Sequence, residues 1–125
     1  LAIKRESTQI IASAARWAPY ESPWEQRLAM AMKEADLDPI PQYSIAGRRL
    51  DLALIRDQKN PIKIDIEVDG DRYHRNPDGS RKYDDIWRDI QMKSLGWKVI
   101  RFWVYELRED MQGCISKIKK AYSNG

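Results

Sequence analysis

Two short runs of alternating hydrophobicity, separated by a few polar residues, leave this chain little choice but to fold back on itself there. Leu50, Leu52 and Leu54 alternate with polar or small residues across Arg49–Ile55, and Ile62, Ile64, Ile66 and Val68 do the same across Ile62–Gly70. Period-two alternation is the mark of strands with one apolar face. The intervening Asp57-Gln58-Lys59-Asn60-Pro61 carries turn residues, so the two strands form an antiparallel hairpin. With Arg56 facing Ile62, Asp51 falls directly across from Glu67, and the aliphatic residues of both strands gather on the reverse face. A slip of one residue would bury the carboxylates and expose the aliphatics, so the pattern itself pins the register.

Directly opposed side chains on antiparallel strands stand roughly 5 Å apart, and like charges there destabilise the sheet. An oxygen-seeking divalent cation such as Mg²⁺, or Mn²⁺ in its place, relieves that repulsion by binding both carboxylates. The alternative is a hairpin with one wet face, whose acids are screened by Lys63 and nearby arginines.

Around the hairpin the order of elements is readable. Lys4 to Trp17 has the spacing of a first helix, a linker or docking segment ended by Ala18-Pro19-Tyr20. Ser22-Pro23-Trp24-Glu25 is a helix start, with Ser at the cap, Pro at the first position and Glu at the third, and Leu28, Met32 and Ala35 continue its apolar stripe. Gln42 to Ala46 reads as a short strand turned by Gly47. Asp71 to Lys82 is polar and reads as a long loop beside the carboxylates. Tyr83 to Leu95 is helical, with Tyr83, Ile86, Trp87, Ile90 and Ser94 along one stripe and Gly96 past its end. Trp97–Trp103 is a strand, and Asp110 to Tyr122 a closing helix. Because a helix joins Ile62–Gly70 to Trp97–Trp103, those two strands run parallel. The fold class is α/β, a mixed sheet flanked by helices.

At 125 residues the chain holds one sizeable core: residues 21–125 form the domain, and 1–20 a helix or linker from a longer parent, an expectation to which the initial Leu1 also points. A formal net charge of +3 permits an anionic partner without demanding one. One cysteine, Cys114, excludes a disulfide framework and a cysteine zinc site and suits a reducing, cytoplasmic setting. No apolar run approaches the roughly 18 residues of a membrane span. Trp24, Trp97 and Trp103 sit in apolar periodic segments and read as core.

The segment Ile66-Glu67-Val68-Asp69-Gly70-Asp71-Arg72-Tyr73-His74, followed by Asp85-Ile86-Trp87-Arg88-Asp89-Ile90 and Leu95–Trp103, resembles the PD-(D/E)XK superfamily, the restriction-endonuclease-like fold. Within it the chain looks like the branch of very-short-patch repair endonucleases and of the C-terminal nuclease-like domains of superfamily 1 helicases. The likeness runs from about Ser22 to the C-terminus. It implies a restriction-endonuclease-like mixed β-sheet, with Asp51 and Glu67 as metal ligands and the Val68 carbonyl as a further candidate. Glu25 matches the acid that relatives carry on the first core helix, although a Glu at that position also completes a capping box.

The chain departs from the superfamily at Asp69, where the pattern has a lysine two residues after the second acid. Asp69 is either an extra ligand or a cap for the turn at Gly70. Replacement chemistry then falls to His74, the only histidine, whose imidazole can move a proton near neutral pH. Arg88 on the next helix offers charge to a phosphate, while Lys93 reads as solvated. Arg48, Arg49, Arg72, Arg75, Arg81 and Lys82, with Tyr73 and Tyr83 interleaved, suit phosphate contact and base stacking. The resemblance implies a metal-dependent DNA endonuclease or nickase domain of a larger helicase-linked or repair protein. Its rivals are a catalytically silent nuclease-like fold that only binds nucleic acid, and a protein-docking module. Nothing in the sequence speaks to oligomeric state.

Overall fold

The computed structural model describes residues 16–70 and 83–123. The first predicted helix up to residue 15 and the loop 71–82, with His74, Arg72, Tyr73, Arg75, Arg81 and Lys82, lie outside the described residues. Helix α1 spans Pro23–Glu34, and strands β1 (Ile40–Ile45), β2 (Arg48–Arg56) and β3 (Ile62–Asp69) follow. Then come α2 (Tyr83–Ser94), β4 (Lys98–Trp103), α3 (Val104–Glu109) and α4 (Met111–Ser123). The expected closing helix is thus preceded by a short one, started where the Trp103 N–H donates to Glu106 Oε1 at 3.0 Å. Among the described residues no helix is long and apolar enough to cross a membrane.

The sheet order is β1-β2-β3-β4, antiparallel except for β3 with β4. Arg56 pairs with Ile62 as the alternation demands. Ile64 pairs with Lys98 and Glu67 with Arg101 in the parallel ladder. The main core lies on one face, where Leu52, Leu54, Ile62, Ile64, Ile66 and Phe102 meet Leu28, Ala29 and Met32 of α1 and Ile115 and Ile118 of α4. Cys114 is buried there too. Trp97 and Trp103 are buried, but Trp24 is only half-buried at the edge of the core, with the Arg27 guanidinium 4.5 Å from its ring centre.

One expectation is corrected on the other face. Leu50 does not join Leu52 and Leu54: it packs with Ala53, Met92 and Trp97 in a smaller cluster under α2. The change of face between Leu50 and Leu52 coincides with the missing rung at Asp51. The predicted stripe of α2 points outward, with Tyr83, Ile86, Trp87 and Ile90 each about half exposed or more. Asp85 and Met92 are the residues α2 buries. The reason is the polar side of the sheet: β3 presents Asp65, Glu67 and Asp69 there, all buried, and α2 sets Asp89 against Arg101 of β4, which also holds Asp69, so its apolar stripe faces away.

Candidate active site

The sheet opens around Asp51. The β1–β2 ladder pairs Pro41 with Leu52 and resumes at Tyr43 with Leu50, skipping the rung where Gln42 faces Asp51. The β2–β3 ladder ends at Leu52 with Ile66. One step on, the same register sets Asp51 opposite Glu67, as the sequence requires. Side chains replace the missing rung: the Val68 N–H donates to Asp51 Oδ2 at 2.9 Å, and the Asp51 N–H donates to Glu67 Oε2 at 3.1 Å. Each carboxylate is tied by one oxygen to the opposite strand.

Glu25 joins them from the first turn of α1. Its N–H donates to Ser22 Oγ at 3.2 Å, so its backbone serves the predicted cap while its side chain, 5% exposed as a residue, lines the cleft. Gln42 Nε2 donates to Glu25 Oε1 at 3.0 Å. The cleft, about 670 Å³, is lined by Glu25, Asp51, Glu67 and Asp69 together with Arg48, Arg49, Arg88 and Arg101.

These acids raise one another. Burial first, then the charge of Glu67, pushes Asp51 up to about 8. Burial and the neighbouring Asp51 push Glu25 up to about 7. Glu67 is raised by burial and by Asp65, and Asp65 by burial. Asp65 Oδ1 is buried without a hydrogen-bond partner among the described residues. A buried anionic cluster of this kind calls for protons or a cation.

Part of the demand is met by Arg101, a residue sequence reasoning passed over. From β4 beside Glu67, its Nη1 donates to the two oxygens of Asp69 at 3.0 and 3.2 Å, and its Nε to those of Asp89 on α2 at 2.8 and 3.0 Å. Burial works against its charge, yet Asp69 and Asp89 outweigh it and hold its pKa above the ordinary arginine value. Asp69 is therefore engaged by Arg101. A charge inside the otherwise apolar run Val99–Trp103 was the available signal, since an arginine buried in a strand needs partners. Gln42, Asp65 and Asp89 were also missed. Of the predicted nucleic-acid contacts, Arg88 lines the cleft. Arg48 Nε donates to Gln91 Oε1 at 2.9 Å, and Arg49 pairs with Glu21 at the exposed rim. Lys93 is exposed, as expected.

Among the described residues no three His, Cys, Asp or Glu side chains converge to hold a metal by themselves. The donors that fit are Asp51 and Glu67, two oxygen ligands with raised pKa values. That set suits a hard divalent cation that keeps waters or substrate oxygens in its other positions, as Mg²⁺ does.

The family model REase_MTES_1575, of the restriction-endonuclease-like kind, matches residues 24–121. Among solved structures, the catalytic domain of the homing endonuclease I-Bth0305I is similar, at 20% identity and a TM-score of 0.61 over 82% of this chain and 96% of that one. At this identity the likeness speaks for the fold. No curated protein matches.

Proposed function

Since the chain belongs to the restriction-endonuclease-like family REase_MTES_1575, we propose that it is a divalent-metal-dependent DNA endonuclease or nickase domain. The observation that carries this reading is the opened rung at Asp51, where two carboxylates of raised pKa face each other in a cleft rimmed by arginines. Asp51 and Glu67 would hold Mg²⁺ or Mn²⁺, with the Val68 carbonyl as a further donor. When bound, such a cation supplies Lewis acidity and lowers the pKa of water. Glu25 orients the attacking water and accepts hydrogen bonds from it. Asp69 and Asp89 hold Arg101 in the wall of the cleft, where its charge faces the phosphate in place of the missing lysine. Arg48, Arg49 and Arg88 contact the phosphate backbone, as do Arg72, Arg75 and Arg81, with Tyr73 stacking on bases. His74 transfers the proton to or from the leaving oxygen.

The test is conversion of supercoiled plasmid to nicked or linear product with Mg²⁺, Mn²⁺ or EDTA. Asp51→Asn and Glu67→Gln are each expected to lower metal-dependent cutting by at least about a hundredfold without loss of the folded state by circular dichroism. Undiminished cutting in either would remove the site assignment. A second reading, binding without cutting, is favoured by the acid at position 69: it expects salt-dependent DNA binding and no metal-dependent product. In the nuclease reading residues 21–125 are the cutting unit of a larger cytoplasmic DNA-processing protein, helicase-linked or of the repair type, with 1–20 as its linker.

A further inference from the structure

Gln42 breaks the rules of its strand. Its φ of 52° lies in the left-handed region, which glycine or asparagine adopts at little cost and a glutamine does not. The other positive-φ positions among the described residues have ordinary places: Asp36 follows the end of α1, Ala46 and Gly47 make the β1–β2 turn, and Gly96 precedes β4. Gln42 alone of these sits inside a strand. Such outliers persist where the surrounding structure enforces them, and they gather at functional sites.

The outlier coincides with the missing rung opposite Asp51. Its effect is to bring the carboxamide to Glu25, with Nε2 3.0 Å from Oε1, so that β1 is joined to α1 along the lining of the cleft. A glutamine serving only to tie two elements together has no need of a strained backbone. We infer that Gln42 is a positioning residue: its left-handed backbone aims the carboxamide that holds Glu25 beside the Asp51–Glu67 pair, where Glu25 orients the attacking water. The inference rests on the nuclease reading and adds to it the device that fixes the third acid.

The test uses the full chain with Gln42→Gly, Gln42→Ala and Glu25→Gln. The glycine and alanine variants both delete the amide, but only glycine releases the backbone. In both, kcat for Mg²⁺-dependent nicking is expected to fall about ten- to a hundredfold with KM for DNA unchanged. Gln42→Gly should melt above Gln42→Ala, the reverse of the order at a regular strand position. In the Glu25→Gln background, Gln42→Gly should cause no further loss, because one residue acts through the other. The inference is overturned by a kcat for Gln42→Gly within about twofold of wild type, by a loss carried wholly in KM, by a further loss in the Glu25→Gln background, or by Gln42→Gly melting below Gln42→Ala. A wild type that does not cut overturns the nuclease reading and this role with it. A wild type that cuts beside a fully active Gln42→Gly overturns this role alone.

Discussion

Asp51 is the residue on which the site turns, and its raised pKa makes stability depend on pH in a defined direction. An unfolded aspartate titrates near about 4, while in the fold Asp51 is pushed up to about 8 by burial and Glu67. Between those values the folded state holds the proton that the unfolded state has released, so stability declines as pH rises through the window and levels off above it. Without divalent metal, Tm is expected to fall from pH 5 to pH 8, and Asp51→Asn to flatten that slope. A melting temperature rising over the same range would show that the carboxylates are not raised. This residue and Glu67 were legible because alternation in both strands admits one register. Arg101 was not, because the parallel pairing was readable but not its register, which brings Arg101 to Asp69 and Asp89. Gln42 was hidden for another reason: nothing local marks a glutamine for positive φ.

At the level of elements, α2 shows what periodicity leaves undecided. Its apolar stripe was readable, but not the direction in which the stripe points, since that depends on the polar underside of a sheet formed by other segments. Substitutions should divide along that line. Met92→Ala removes a buried side chain and is expected to cost about 2–5 kcal/mol. Trp87→Ser, on the exposed stripe, should stay within about 0.5 kcal/mol of wild type by urea unfolding. Arg101→Met removes the guanidinium that Asp69 and Asp89 share, a pairing largely out of solvent, and should cost about 3–5 kcal/mol. Arg49→Ala, which breaks an exposed pair, should cost no more than about 1 kcal/mol. An Arg101 variant as stable as the Arg49 variant would mean that the triad adds nothing to the fold. Helix α1, by contrast, was readable to its first residue, because Ser22 and Pro23 signal a helix start through local chemistry alone.

For the whole molecule, strand–helix–strand order was enough to give the mixed sheet, and the one parallel pair falls where that order requires. The fold brings α1, β2 and β3 together at the cleft, so a cation binding there should stabilise the folded domain as a unit. At a free Mg²⁺ concentration a hundred times its Kd, the gain is about 2.7 kcal/mol, a rise in Tm of several degrees. It should grow as pH rises through about 8, where Asp51 gives up its proton, and be absent in the Asp51→Asn, Glu67→Gln double variant. Equal stabilisation of that double variant would place the cation elsewhere. The two hydrogen bonds that stand in for the lost rung have a spectroscopic corollary. The Asp51 and Val68 amide protons are each held by a carboxylate that a cation would draw upon. Their two cross-peaks in a nitrogen–proton correlation spectrum would therefore act as a built-in gauge of occupancy, shifting together along one titration curve before any substrate is added.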